Sequence, residues 1–254
     1  MTERFPDHFS GHAASYARAR PAYPPELFAW LSDHAPDGSP RRAWDCGCGN
    51  GQASVALAAH FDSVIATDPS VPQLENARPA REVAYVAATG ERSPIAAGTI
   101  DLITIAQALH WFRLDEFYAE ARRVARSGAL IAAWSYGRTI IDAAVDAAVT
   151  HFHFETLADW WPPERRFVDE GYASLPFPFA RVAVPAFEMQ QHWTRRDLLG
   201  YVGTWSAVAA MRRATHRDPV ADLDRSLAPL WPDDERRIVR WPLVVLAGII
   251  DRGG

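Results

Sequence analysis

Residues 44–52 constrain the fold of this chain more than any other stretch, because they hold three glycines at alternate positions, Gly47, Gly49 and Gly51. The residues before them are typical of the end of a β-strand, and the apolar spacing of residues 53–59 predicts a helix that packs on a sheet. Glycine tolerates positive φ and lets a ligand approach the backbone, while the start of a helix offers free N–H groups. The sequence therefore predicts a strand–turn–helix unit whose turn suits a bound nucleotide.

The composition is that of an ordinary globular protein. The 254 residues are 48% hydrophobic and 22% charged, with a formal net charge of −5. An acidic balance argues against non-specific nucleic-acid binding, which needs a basic surface. No window of the sequence reaches the roughly 18 apolar residues of a membrane span, and the first residues show no apolar signal core. We expect a cytoplasmic monomer or homodimer with no nucleic-acid or membrane partner.

The cysteines and histidines do not predict a metal site. Cys46 and Cys48 are the two cysteines, with one residue between them, so neither a disulfide framework nor a four-cysteine zinc site is possible. We expect both thiols to be reduced and to serve as small loop residues. His151 and His153 lie two positions apart, which separates their side chains on a helix.

Strand-like and helical segments alternate through the first half of the chain. A short helix and an arm are expected at residues 8–20, and helices at 71–78 and 114–124, the latter ended by a break at Ser127–Gly128. Apolar β-rich runs lie between the helices, at residues 42–44, 63–67, 82–87, 99–105 and 129–134. Strands that are apolar on both faces and alternate with helices predict a doubly wound parallel sheet in an α/β fold.

Beyond residue 137 the pattern changes. Residues 139–175 are rich in aromatic side chains and helical in tendency, residues 181–193 predict a strand bent at Pro185, and residues 195–230 are helical again. A final strand is expected within residues 237–250. The sequence thus predicts a core at residues 1–138, followed at 139–254 by a helical aromatic lid and the strands that complete the sheet.

The spacing of the glycines selects the nucleotide. A dinucleotide fingerprint would need a glycine at position 52, where this chain has Gln52. Instead Asp45 precedes the three glycines, and Asp68 follows at the end of the next strand. The carboxylate of Asp68 can accept hydrogen bonds from both hydroxyls of a ribose. Together these residues indicate an adenosyl ligand that carries an amino group.

With these motifs the chain resembles the class I S-adenosylmethionine-dependent methyltransferases. Within that class it is similar to the trans-aconitate methyltransferase-like enzymes, which act on small molecules. Besides the loop at residues 45–52, the resemblance is carried by Phe9, Ser10, Tyr16, Pro94 and residues 20–24, 65–70, 89–91, 107–112, 161–166 and 204–206. It implies a Rossmann-like methyltransferase fold with a mostly parallel seven-stranded sheet, and S-adenosyl-L-methionine as the cofactor.

The resemblance also implies roles for individual cofactor-binding residues. The backbone of Gly47, Gly49 and Gly51 would face the methionine part, Asp45 would hold its ammonium directly or through water, and Asp68 would bind the ribose.

On the adenine side, Thr89 and Gly90 would border the ring. The family often has an acidic residue where this chain has Thr89, whose hydroxyl donates as well as accepts. Gln107 would lie near the sulfonium, and His110 and Trp111 would face the substrate.

Methyl transfer from a sulfonium is an in-line displacement, and a carboxylate acceptor needs no base. We therefore hypothesise an O-methyltransferase for a small molecule, with a carboxylate as one candidate acceptor. Tyr16, Arg20 and His110 are the candidate catalytic or orienting residues. His110 could equally cover the site, and Arg20 could anchor the arm. Rings such as Tyr16, Trp111 or Trp134 could favour the sulfonium by about 0.5–2 kcal/mol through cation–π attraction.

Two alternatives from other classes stay open. A protein could bind the cofactor without catalysing methyl transfer, because a fold does not fix a function. A nicotinamide-dependent oxidoreductase is the other alternative, and Gln52 disfavours it.

Overall fold

Parallel strands alternate with helices through the first half of the chain, as the sequence predicts, in a computed structural model that describes residues 21–251. The helix and arm predicted at residues 8–20, with Tyr16 and Arg20, lie outside the described residues. The first half contains α1 (Pro25–His34), β1 (Arg42–Cys46), α2 (Gln52–Leu57), β2 (Ser63–Asp68), α3 (Val71–Glu75), β3 (Val83–Ala87), β4 (Ile100–Ala106), α4 (Leu114–Val124) and β5 (Ala125–Ser135).

The second half is mainly helical until its last strand. It contains α5 (Ala143–His151), α6 (Arg165–Asp169), β6 (Ala180–Arg181), β7 (Phe187–Trp193), α7 (Arg195–Val202), α8 (Ser206–Thr215), α9 (Pro219–Leu227) and β8 (Arg237–Ile250). Short 3-10 turns at Leu109–Trp111 and Ala158–Trp160, and a π-helical turn at Phe152–Thr156, complete these elements.

The strands form one sheet in the order β3-β2-β1-β4-β5-β8-β6, with β7 also paired to β8. Strands β1 to β5 are parallel, and β8 runs antiparallel to β5. Because the chain leaves β1 toward β2 on one side and later returns to β4 on the other, the carboxyl ends of β1 and β4 border a topological switch point, where α/β sheets bind ligands. The doubly wound α/β fold is confirmed.

Among residues 21–251 the sheet has eight strands, where the resemblance implied seven. The single strand expected at residues 181–193 is divided into β6 and β7, and Pro185 lies in the interval between them. Proline has no N–H to donate to a neighbouring strand, so Pro185 cannot pair through its nitrogen within this interval. Both pieces pair with β8, β6 near Ile249 and β7 along Arg237–Leu243.

The break expected at Ser127–Gly128 lies inside β5, and this prediction was wrong. The strand begins at Ala125, directly after α4, and its register against β4 shifts between Ile100 and Leu102. Gly128 has a φ of 80°, so the glycine allows a bulge in the strand instead of ending a helix.

Both faces of the sheet are buried, as a parallel sheet requires. Neighbouring residues of β4 show this directly: Leu102 packs into one hydrophobic cluster with Trp134 and Trp241, whereas Ile103 packs into another with Trp44 and Phe117. Helices therefore cover both sides, and the carboxyl edge of the parallel strands is left for a ligand. Within residues 21–251 no helix is long and apolar enough to cross a membrane.

Candidate active site

The glycine loop after β1 has a backbone that only glycine adopts easily. Gly47, Gly49 and Gly51 have φ values of 70°, 53° and 78°. A Cβ at Gly47 would lie 2.6 Å from the Cβ of Ala108, whereas a Cβ at Gly49 would meet no atom within 4 Å. The first glycine is thus required by packing, and the second faces open space that a ligand can occupy.

Asp45 lies beneath this loop and is completely buried. Its two carboxylate oxygens accept hydrogen bonds from the hydroxyls of Ser54, at 2.6 Å, and Thr104, at 2.9 Å. Burial raises the pKa of this carboxyl to about 6, although both hydroxyls oppose the shift. With no exposed surface, the side chain cannot touch a ligand directly; it joins the start of α2 to β4 and holds the loop between them.

Asp68, at the end of β2, holds the other side of the loop. Its Oδ2 accepts the backbone N–H of Gly49 at 2.9 Å, and its Oδ1 accepts the N–H of Ser70 at 2.8 Å. The residue is 9% exposed. A carboxylate oxygen has two lone pairs and can accept more than one hydrogen bond.

Thr89 and Gly90 follow β3 with contrasting environments. Thr89 is exposed, and Gly90 is buried beneath the loop. A Cβ at Gly90 would lie 2.9 Å from Cys46 Sγ and 3.1 Å from the ring of Phe112. Gly90 is therefore needed for close packing between the loop and the segment after β4, while the Thr89 side chain is accessible.

Both cysteines are buried free thiols. Burial raises the pKa of Cys46 and of Cys48 above the usual range for a thiol, and neighbouring carboxylates such as Asp45 add to the shift. The thiols stay protonated near neutral pH, so they fill space beside the loop and are poor nucleophiles.

Gln107 lies directly after β4 in an unusual conformation. Its φ is 57°, a value that non-glycine residues rarely adopt. The backbone N–H donates to Trp134 O at 2.8 Å, and Nε2 donates to Tyr136 O at 2.9 Å. Residues held in such strained conformations are concentrated at functional sites, and Gln107 lines a cavity.

This cavity of about 70 Å³ lies between the end of β4 and the helices of the second half of the chain. Its polar side chains come from Gln107, His110, Arg165 and Ser206, and its aromatic walls from Trp111, Tyr136, Trp161, Tyr201 and Trp205. The volume exceeds the roughly 10–15 Å³ that one water needs, so the cavity can admit part of a small organic molecule.

His110 is held in the cavity by Tyr172. The ring Nδ1 lies 3.0 Å from the Tyr172 hydroxyl. Burial, and then the positive charge of Arg165, lower the pKa of His110 to about 3. The imidazole is therefore neutral at physiological pH, and with so low a pKa it is a weak general base.

The structure brings together part of the predicted site. Asp68 and the glycines meet at one loop, and Gln107, His110 and Trp111 line one cavity. Trp134 does not line that cavity; it is completely buried, with its ring 5.5 Å from that of Tyr23.

Sequence reasoning did not assign eight of the lining residues to the site. These are Tyr136, Trp161, Pro162, Arg165, Val168, Tyr201, Trp205 and Ser206. The aromatic richness of the lid and the motifs at 161–166 and 204–206 were the available signals.

Three comparisons identify relatives of this chain. The family profile described as "Methyltransferase domain" matches residues 44–133. A Dictyostelium discoideum protein named as a methyltransferase is 35% identical over 227 residues, covering 88% of this chain and 86% of the relative. A Saccharomyces cerevisiae protein named as an S-adenosylmethionine-dependent methyltransferase is 30% identical over 132 residues, covering 49% of this chain and 45% of the relative.

A solved structure extends the likeness to nearly the whole fold. A protein of Anaeromyxobacter dehalogenans described as a type II methyltransferase is 45% identical with a TM-score of 0.84, and the match covers 91% of this chain and 98% of the other. The chain belongs to the class I S-adenosylmethionine-dependent methyltransferases. It is accordingly an enzyme that uses S-adenosyl-L-methionine, and the open space in front of Gly49 beside Asp68 fits that cofactor.

Proposed function

We propose that this enzyme transfers a methyl group to an oxygen of a small molecule, and that the oxygen belongs to a carboxylate. The proposal is supported by the cavity wall, in which the described residues provide no carboxylate to accept a proton. Among the described residues that line it, no aspartate or glutamate is found, and the pKa of His110 is about 3. An alcohol or an ammonium would have to lose a proton, whereas a carboxylate is already deprotonated at neutral pH.

The cofactor, when bound, supplies an electrophilic methyl group on a sulfonium. An acceptor carboxylate would take up the methyl group and leave the electron pair of the S–CH₃ bond on sulfur. It would become a neutral ester, so no residue of this chain would have to remove a proton. The protein has to align the two reactants and keep water out, which the aromatic walls and the neutral His110 favour.

Roles of the cofactor-side residues form part of the proposal. The backbone at Gly47, Gly49 and Gly51 would face the methionine part, and Asp68 would accept the ribose hydroxyls. Asp45 would act through the loop it supports.

The adenine, the sulfonium and the methyl acceptor are assigned to further residues. Thr89 and Gly90 would border the adenine, and Gln107 would lie near the sulfonium. Tyr16 and Arg20, outside the described residues, are proposed from the family resemblance to complete the acceptor side.

The subgroup and the division of the chain are also proposed from the resemblance to the trans-aconitate methyltransferase-like enzymes. We place the enzyme in the trans-aconitate methyltransferase-like subgroup, with a cofactor-binding core at residues 1–138 and a lid with closing strands at 139–254. The aromatic rings of Trp161, Tyr201 and Trp205 line one cavity, which supports a lid role for the second segment. A cytoplasmic monomer or homodimer is proposed.

The test uses purified protein, methyl-labelled cofactor and matched panels of small acids, alcohols and amines. Methyl esters release volatile labelled methanol in mild base, whereas ethers and methylamines do not. We expect base-labile label with acids only. Label transferred to amines or proteins alone would contradict the proposal.

A second measurement addresses the alternative of binding without catalysis. Calorimetric titration should show binding of S-adenosylmethionine and none of NAD. Tight binding with no turnover on any panel would favour a protein that binds the cofactor for another purpose.

A further inference from the structure

We call the cavity beside Gln107 and His110 the acceptor cavity, because the proposed function places the methyl acceptor there. Arg165 is the positively charged side chain in its described wall. It lies at the start of α6, and its side chain is 20% exposed. The guanidinium carbon lies 4.7 Å from the centre of the Trp161 ring, in cation–π contact. A charge in a partly enclosed aromatic cavity is stable only when it is paired, because burying an unpaired charge is costly.

Asp169, one helical turn further along α6, holds one edge of this guanidinium. Arg165 Nε and Nη2 each lie 2.9 Å from Asp169 Oδ1. Within residues 21–251, Arg165 Nη1 makes no hydrogen bond. An arginine presents its donors in a planar fork, so one edge is fixed by the protein and the donors at Nη1 are left for a ligand.

Asp169 is itself anchored, which fixes the direction of the fork. Its Oδ2 lies 3.3 Å from Nε2 of His153, whose side chain is 1% exposed. The His153 ring packs against Trp161 and Trp205, at centroid distances of 4.6 and 5.6 Å. Asp169 supports Arg165, and its partner His153 contacts two walls of the cavity.

Those walls are flat and apolar. The rings of Trp161 and Trp205 lie 5.6 Å apart and meet at 47°, and Trp111 lines the same cavity. Aromatic surfaces bind flat apolar groups with large buried area. A ligand that satisfies both the walls and the guanidinium has a flat apolar part and an anionic, forked end.

We propose that Arg165 binds the carboxylate of the acceptor, and that the acceptors are carboxylates attached to a flat apolar group. This inference rests on the proposed function, in which a carboxylate accepts the methyl group. One carboxylate oxygen contacts the guanidinium and the other is turned toward Gln107. The ester product loses its charge and with it the attraction to Arg165, which favours release.

The test compares Arg165→Gln with Arg166→Gln, using sorbate and benzoate as acceptors. Arg166 is the matched control, since it is exposed and packs on Phe167 outside the cavity. We expect Arg165→Gln to raise KM for both acids about 10- to 100-fold, with Arg165→Lys in between and cofactor affinity unchanged. Equal KM values in wild type and Arg165→Gln would overturn the inference.

Direct binding separates this inference from the proposed function. Tryptophan fluorescence of the complex with S-adenosylhomocysteine is titrated with each acid and with its amide. If no acid is methylated, the proposed function fails, and acid binding that is lost in Arg165→Gln still supports the anion site.

Should Arg165→Gln not fold, as judged by near-ultraviolet circular dichroism, the wild-type titration decides alone. At least tenfold tighter binding of acid than of amide supports the inference. Equal binding, or no binding of either, overturns it.

Discussion

The cofactor loop and the acceptor cavity are built in different ways. The loop is a backbone structure: its glycines have positive φ, and its N–H groups are held by Asp68 and by Thr67 O. The cavity is a side-chain structure, in which the end of β4, the start of α6 and the start of α8 contribute rings and one guanidinium. The conformation of the loop is set by steric limits on its backbone, whereas the shape of the cavity is set by the packing of side chains from distant elements.

The two regions therefore tolerate different substitutions. An added side chain in the loop is destabilising, because the backbone there cannot move without moving the strands. A replaced side chain in the cavity changes what the cavity binds and leaves the sheet intact.

The largest effect is expected from Gly47→Ala. The new Cβ would lie 2.6 Å from the Cβ of Ala108 at a φ of 70°, so overpacking adds to backbone strain. We expect unfolding free energy in urea to fall by about 3 kcal/mol. Gly128→Ala is the control, since φ is 80° but no atom lies within 4 Å, and a loss of about 1 kcal/mol is expected. Equal losses in the two variants would show that the loop is not closely packed.

The second effect is on cofactor binding. Asp68→Ala removes the acceptor of the Gly49 and Ser70 N–H groups as well as the proposed ribose contact. We expect affinity for S-adenosylhomocysteine, measured by calorimetry, to fall about 100-fold. Asp62→Ala is a matched control, because Asp62 accepts the N–H of Arg41 at the opposite end of the strands. Unchanged affinity in Asp68→Ala would contradict the ribose assignment.

The sequence predicted the backbone region well because its constraints are local. Three alternate glycines after an apolar strand allow few conformations, and Asp68 follows from the end of the next strand. The environment of Asp45 was not predictable in the same way. Its burial depends on Thr104 of β4, which is far away in the sequence.

The side-chain region was predicted only in part. Gln107, His110 and Trp111 were placed because they follow β4 directly. Arg165 and Trp205 reach the cavity because the short helices of the second half pack against the end of β4. The spacing of these two residues in the sequence does not predict that packing. Aromatic composition indicated a lid without indicating which rings face inward.

The third prediction concerns the effect of His110 on the stability of the protein at low pH. The folded-state pKa of His110 is about 3, below the value of 6.5 expected for an unfolded chain. As the pH falls below 6.5 the unfolded state takes up a proton that the folded state does not, so stability falls. Between pH 7 and pH 5 we expect His110 to contribute a loss of about 2 kcal/mol in unfolding free energy. His110→Gln should remove that loss; an unchanged pH dependence in the variant would contradict the burial of a neutral imidazole.

The fourth prediction has the opposite sign and concerns the loop. Asp45 has a folded-state pKa of about 6, above its ordinary value of 3.8, because it is buried. As the pH falls from 7 to 5 the folded state takes up the proton first, so Asp45 contributes a gain of about 1 kcal/mol. Asp45→Asn should remove this gain and make the acid loss steeper, whereas His110→Gln makes it shallower, as urea unfolding at both pH values would show. If both variants change the pH dependence of unfolding in the same direction, the prediction that burial raises the pKa of Asp45 and lowers that of His110 is wrong.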